Sequence, residues 1–489
     1  MLDILFLNVP PMSLSYPAAG TTLLSGICQA NGFASKVTDL NYELFEQHGT
    51  DAYNQIVSYL TLSGDLPDNI NYLYTNFIHE QINKIEKLNV RFVGISVFTF
   101  ECQKFTQDFC TALRQRNFKG KIIIGGAGLS TTGIATKVSN FGDRMLDQTL
   151  VDFYIRGEAD KVILSVLQNK YEQINSQVYQ IDDLEKISLP DYAGVINNKY
   201  AWPNSTPTLP ITGSRGCVRA CTFCDIHKFW PSFKFRSGYS IAKEMITVFK
   251  NTGVRNFVFT DSLINGSIKS FRELCYSLTE YYRDNNLPDR YFTWSGQFIC
   301  RDSQSFKEKD FELAAQAGMT GVAIGVESGS DRVREHMKKK FTNKDLDFTL
   351  SCLEQFGINC YFLMISGYPT ETEEDFQDTV NMFHRYEKYA ITGTILGVNL
   401  GGTLSLDSGT DLTENAKDLG IHGLSSESDS LFGLDWRSDN NPNLTLEERI
   451  RRRVVLQELL MDLGYNVWNG DHQLKRLMNS YTKIKNGTY

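Results

Sequence analysis

The sequence predicts an α/β protein made of two successive strand-helix series, and three observations carry that prediction. Short apolar runs of strand length alternate with longer amphipathic stretches. Glycine and polar residues stand where those runs end, and a polar stretch with Pro190, Pro203, Pro207 and Pro210 separates the two series. The expected architecture is a doubly wound parallel sheet (1–180), a linker (181–206), a partial (β/α)6 barrel (207–400) and a mainly helical carboxyl-terminal extension (401–489).

In the first series, near-continuous apolar runs predict strands at Ile4–Val9, Lys36–Leu40, Phe92–Ser96, Lys121–Ile124 and Asp152–Ile155, as expected for strands covered on both faces. Residues 45–88 exceed an ordinary crossover and read as two inserted helices broken at Gly64-Asp65-Leu66-Pro67, a candidate lid or dimer contact. In the second series, strands are expected at Thr208–Thr212, Asn256–Thr260, Tyr291–Ile299, Gly321–Gly325, Asn359–Ile365 and Thr394–Val398. Six such units make a partial barrel, whose chemistry belongs at the carboxyl ends of its strands. Past Gly401 the pattern dissolves into Gly, Ser, Asp and Asn and recovers as a helix over Thr445–Leu463. The charged run Glu447–Arg453 in that helix reads as a solvated face or a helix across the barrel mouth, with an RNA contact as the sharper alternative.

The totals exclude several classes. With 42% hydrophobic and 22% charged residues in 489, the chain is of the soluble globular kind and long enough for two or three domains. A net charge of -8 argues against a general nucleic-acid binder. The run Met1–Pro10 carries Asp3 and no small-residue cleavage site, so it reads as a strand and not a leader. No segment approaches the about 20 apolar residues of a membrane span, and a cytoplasmic location with reduced thiols is expected. Of the ten cysteines, Cys28, Cys102, Cys110, Cys275, Cys300, Cys352 and Cys360 are scattered in apolar surroundings and read as buried thiols.

The other three are grouped. Gly213-Ser-Arg-Gly-Cys217-Val-Arg-Ala-Cys221-Thr-Phe-Cys224 follows the first barrel strand and places three thiols on a glycine-introduced turn. Cluster chemistry normally takes four ligands, so three thiolates leave one iron open. Arg215 and Arg219 would offset thiolate charge. Structural zinc, completed by His227, is the competing reading.

This C-x3-C-x2-C loop after the first strand of a six-unit barrel resembles the radical S-adenosylmethionine (SAM) superfamily. The resemblance implies a 4Fe-4S cluster on Cys217, Cys221 and Cys224, with SAM on the fourth iron. It further implies reductive cleavage to a 5'-deoxyadenosyl radical, hydrogen abstraction from a substrate, and an external electron donor such as flavodoxin or ferredoxin. Later motifs extend it: Phe223 as the aromatic beside adenine, the alternative being a core aromatic; Asp261 with Ser262 for the SAM amino group, the alternative being an Asp that caps the following helix; and Gln297 and Arg301 near SAM, the alternative for Arg301 being a solvated or salt-bridged strand end. Gly325-Val-Glu327-Ser328-Gly329-Ser330 matches the element for ribose or methionine, and Gly367 stands where adenine approaches closely.

The first series resembles the cobalamin-binding domain that precedes many radical SAM domains, through Val93-Gly-Ile-Ser96, Gly125-Gly126-Ala-Gly128 and Arg156-Gly157-Glu158-Ala-Asp160. Cobalamin at Gly125, Gly126, Gly157 and Glu158 is what this implies; the alternative for Gly125–Gly128 is a tight strand-to-helix turn. The D-x-H-x-x-G element with an axial histidine is absent, and His48 and His79 read as surface residues. The leading expectation is a cobalamin-dependent methyltransferase acting on an unactivated carbon of a small-molecule or peptide substrate, without membrane or nucleic-acid partners. A radical SAM cyclase, dehydrogenase or epimerase with a vestigial cobalamin domain is the second, and a non-catalytic ligand-binding iron-sulfur protein the third.

Overall fold

The computed structural model describes residues 2–62, 65–129, 140–170, 174–176, 178–200, 206–406, 409–423, 433–434, 436–468, 474–475, 477–478 and 481–482. The chain forms two compact units, the first running up to Pro210 and taking in Val248–Val254 as well, and the second made of Ile211–Thr247 and the chain from Arg255 onward.

The first unit holds a six-stranded parallel sheet of β1 (Leu2–Asn8), β2 (Ser35–Asp39), β3 (Val90–Ser96), β4 (Lys121–Gly125), β5 (Phe153–Gly157) and β6 (Val178–Tyr179), in the order β2-β1-β3-β4-β5-β6. Ile4, Leu7, Val37, Val93, Ile122 and Ile124 are fully buried, the reward of strands apolar on both faces. Two helices fill the expected insertion, Leu40–Leu62 and Asp68–Lys87, and the first bends at Gly49, where φ is 74°. His48 is half-buried with its ring 6.2 Å from Phe77, not a surface residue, and burial lowers its pKa.

The stretch read as a linker is, in its described part, fastened to the first unit. Asp191 accepts from Ser25 Oγ at 2.8 Å and Gln29 Nε2 at 2.7 Å, and Tyr200 donates to Asp39 at 2.9 Å. Its polar, proline-containing sequence does not make it free, because Tyr192, Val195 and Tyr200 are buried.

The second sheet contains β7 (Thr208–Ile211), β10 (Asn256–Phe259), β11 (Thr293–Phe298), β12 (Met319–Glu327), β13 (Asn359–Met364) and β14 (Ile395–Asn399), ordered β14-β13-β12-β11-β10-β7. Between β7 and β10 lies a short ribbon of β8 (Ser214–Arg215) and β9 (Lys234–Phe235). Pairs from β10 to β14 are parallel. The outward face packs Phe257, Phe259, Trp294, Phe298 and Phe362 into the core, whereas the other face carries Thr260, Ser295, Gln297 and Ala323. Beyond β14, Leu404, Leu406, Leu412, Ile421, Trp436 and Leu444 form one apolar cluster with Val333, Met337 and Tyr368. No helix among the described residues is long and apolar enough to cross a membrane.

Candidate active site

The loop after β7 is closed at its base. β8 pairs antiparallel with β9, Ser214 opposite Phe235 and Arg215 opposite Lys234. Gly216 opens the loop at φ 83°, and a Cβ there would lie 2.7 Å from the Ser232 carbonyl oxygen, so the turn requires glycine. From beneath, Asp261 accepts from the Gly213 amide at 2.8 Å and from Ser214 Oγ at 2.6 Å. Burial pushes this carboxyl up to about 7 against those bonds. Asp261 therefore braces the cysteine loop: it is buried, and each of its carboxylate oxygens accepts from that loop. Ser262 beside it is half-buried.

Within the loop, the Thr222 amide donates to the Met337 carbonyl at 3.2 Å and its hydroxyl meets that of Tyr368 at 2.8 Å. The Leu412 amide donates to the Thr222 carbonyl at 2.9 Å. Phe223 packs against the apolar cluster of Tyr368 and Trp436, with the Lys339 ammonium 5.9 Å from its ring centre. Cys217, Cys221 and Cys224 are half-buried, whereas the seven scattered cysteines are buried, as their apolar surroundings predicted. Burial pushes the three thiols up, Cys224 to about 12, while Lys339 and Arg219 pull Cys217 and Cys221 down. Metal binding needs thiolates, so these cations favour the ligating form. The Arg219 amide also donates to Cys217 Sγ at 3.3 Å.

Among the described residues, no three His, Cys, Asp or Glu side chains converge as one ion would require. His227 Nε2 lies 2.8 Å from the Arg219 carbonyl oxygen, bonded within the loop. Tetrahedral zinc needs such convergence. In a cluster each thiolate binds a different iron, so three accessible thiols on a fixed loop fit a 4Fe-4S group with one open iron.

At the end of β12, Glu327 takes a left-handed φ of 66°, which a glutamate adopts only under surrounding constraint. Its Oε1 accepts from Lys339 Nζ at 3.0 Å, and the two side chains are 10% and 12% exposed. A Cβ on Gly325 would lie 2.4 Å from Glu327 Oε1 and 2.7 Å from Lys339 Nζ, so the pair rests on that glycine. Lys338 and Lys340 both have positive φ, 58° and 55°, on either side of Lys339. Sequence reasoning missed Lys339, because a Lys-Lys-Lys run carries the signature of a solvated face.

Other expected contacts are spent on the scaffold. Ser328 is 1% exposed and lies against Thr379, its hydroxyl accepting from the Ser330 amide at 3.2 Å. Arg301 donates to the carbonyls of Asn265 and Gly266 at 2.9 Å, holding the loop after β10. Gly367, at φ 79°, leaves room for Arg449, whose Cγ would be 2.4 Å from a Cβ there; the close neighbour is an arginine where adenine was expected. Gln297 remains exposed on the strand face.

In the first unit Gly126 has φ 114°, and a Cβ would lie 2.5 Å from the Val97 carbonyl oxygen. Gly157 at φ 78° has the same relation to the Tyr179 carbonyl oxygen, at 2.3 Å. Glu158 accepts from the Ile181 amide. Gly126 and Gly157 thus let backbone approach closely, whereas a Cβ on Gly125 would meet nothing nearer than 3.7 Å. The strand order 2-1-3-4-5 reverses direction between β1 and β3, the crevice where such sheets take ligands. Phe98, 57% exposed just past β3, stands there unpredicted.

Comparison with known proteins agrees with this geometry. Residues 211–383 match the radical SAM superfamily. The anaerobic magnesium-protoporphyrin IX monomethyl ester cyclase of Rubrivivax gelatinosus is 25% identical over 56% of this chain and 53% of its own. An uncharacterized methyltransferase of Pyrococcus horikoshii is 22% identical over 51% and 54%. The chain thus spans about half the length of the curated relatives it matches. Among solved structures, the radical SAM methyltransferase TsrM of Kitasatospora setae, with cobalamin and a [4Fe-4S] cluster bound, superposes with a TM-score of 0.63 over 99% of this chain and 100% of that one, at 14% identity. The cobalamin-dependent SAM radical enzyme OxsB gives 0.59 over 99% and 81%, also at 14%.

Proposed function

We propose that the protein cleaves SAM reductively at a cluster on Cys217, Cys221 and Cys224 and methylates an unactivated carbon with the help of cobalamin, a reading supported by the match of residues 211–383 to the radical SAM superfamily and by a fold shared with cobalamin-dependent radical SAM enzymes. The observation that carries the first half is the clasped loop with its three accessible thiols. When bound, the cluster supplies the electron for SAM cleavage and cobalamin supplies the methyl group.

The chain's own residues hold and orient these partners. Asp261, Thr222 and Tyr368 fix the loop that presents the thiols. Glu327 and the exposed Gln297 offer a carboxylate and an amide to the hydroxyl and amino groups of SAM, and Phe223 backs the third thiol. In the first unit, Gly125 and Phe98 at the carboxyl ends of the strands are the candidate cobalamin contacts. The electron comes from an external one-electron donor of the flavodoxin or ferredoxin kind.

A second reading keeps the radical chemistry and omits cobalamin, giving a cyclase, dehydrogenase or epimerase. It is favoured by the use of Gly126, Gly157 and Glu158 in packing and by relatives named as cyclases.

Anaerobic reconstitution with iron and sulfide tests both. The wild type is expected to release 5'-deoxyadenosine after reduction, and Cys221→Ala to lose iron and that product together. Absence of cleavage under every reductant sinks either enzyme reading. Failure of the iron-loaded protein to take up hydroxocobalamin sinks the methyltransferase alone.

A further inference from the structure

The cations around the cysteine loop differ in how enclosed they are. Lys338 reaches Asp411 at 2.6 Å with half its side chain in solvent, and Lys340 is exposed. Arg219 is half-buried and donates to the Lys340 carbonyl at 3.4 Å. Lys339 is 12% exposed, lies over the Phe223 ring next to the third thiol, and among the described residues donates to Glu327 alone. The backbone around it is committed to that placement. Met337 receives the Thr222 amide from the loop, and the two flanking lysines hold left-handed conformations that cost energy. An ammonium has three donors, so a structural ion pair would normally spend more than one of them.

We propose that Lys339 is a positioning residue for the cluster: its ammonium, held over Gly325 by Glu327, sets how readily iron bound to Cys217, Cys221 and Cys224 accepts an electron. The inference rests on the radical SAM reading of that loop. Adding one electron makes the cluster more negative, and a nearby enclosed cation stabilises the reduced form more than a surface cation does, because solvent ions screen it less. Lys339 exchanges neither electron nor proton in this role; the electron arrives from the external donor. Glu327 is the counterweight, since its carboxylate both anchors the ammonium and offsets its charge. The two residues therefore act on the cluster with opposite sign.

The experiment is an anaerobic redox titration of the reconstituted full chain without SAM, followed by the electron paramagnetic resonance of the reduced cluster, with iron content measured in parallel. A unit charge about 12 Å away at an effective dielectric of about 20 changes the reduced-to-oxidised ratio about tenfold, which is about 59 mV for one electron. Lys339→Met is expected to require a more negative potential by about that amount, and Lys339→Arg to stay near the wild type. Glu327→Gln is expected to move the other way, and the double variant to return toward the start. Loosening of the loop alone would not give opposite signs. Equal potentials in all variants, or shifts of Lys339→Met and Glu327→Gln in the same direction, overturn the proposal. If Lys339→Met takes up no iron, Glu327→Gln decides: an upward shift sustains the assignment and no shift ends it. A wild type that binds no cluster overturns the radical SAM reading itself.

Discussion

Strands β12 and β13 lie side by side, and a carboxylate paired with an enclosed cation stands at or just beyond the end of each. Glu327 meets Lys339 at 3.0 Å, and Glu371 meets Arg452 at 2.9 Å. Their surroundings differ. Arg452 also donates to the carbonyls of Glu371 and Thr372, to Glu448 at 2.8 Å and to Glu373 at 3.2 Å, and it lies 5.2 Å from the Phe376 ring centre. Among the described residues Lys339 has one acceptor, with the cysteine loop for a neighbour. A saturated pair fastens one element to another; an unsaturated one keeps capacity for a partner that is not protein. Burial alone does not tell these apart, whereas counting satisfied donors does.

The comparison is broken if the two cations cost the same when removed. Arg452→Met leaves the buried Glu371 carboxylate without its cation and is expected to destabilise the protein by about 3–5 kcal/mol. The iron content of the protein that remains folded should be unchanged. Urea unfolding measures the first and an iron assay the second; a loss with Lys339→Met as large as with Arg452→Met would make the Lys339 pair equally structural.

A smaller effect is confined to pH. Burial pushes Glu371 up to about 7, against the pull of Arg452. A carboxyl whose folded pKa is raised holds its proton in the folded state at pH values where the unfolded chain has released it, so its contribution to stability is present below about 4.5 and is lost as pH rises through about 7. Glu371→Gln should flatten that part of the melting-temperature profile, and an unchanged slope would assign the dependence to other groups. Least is expected from Arg451→Ala: its side chain is 48% exposed and its partners Glu448 and Glu373 lie on the surface side, so about 0–1 kcal/mol is expected in the same unfolding assay.

The two sheets were legible because their signals are local. Each strand from Ile4 to Val398 was bounded by apolar length and by glycine or polar punctuation, and the observed ends fall close by. The three grouped cysteines stood out for the same reason, as their spacing carries the resemblance. The partners of the other motif residues lie far along the chain. Gly367 faces Arg449, Ser328 faces Thr379, and Asp261 reaches back to Gly213 and Ser214. Arg449, Arg452 and Arg453 looked like a charged face, yet all three are buried against carbonyls and carboxylates. Lys339 differs from Lys338 and Lys340 only in where the backbone turns it, and no composition rule reports a torsion angle.

The ribbon of β8 and β9 has a consequence for assembly. Bringing three donors together from a slack chain costs conformational entropy at the moment of capture. Here Ser214 and Arg215 are already joined to Phe235 and Lys234, and Thr222 is already tied to Met337 and Tyr368. That ordering is met when the polypeptide folds, so a group captured by the proposed ligand loop would find this part of its backbone already placed, with that much less conformational entropy left to lose.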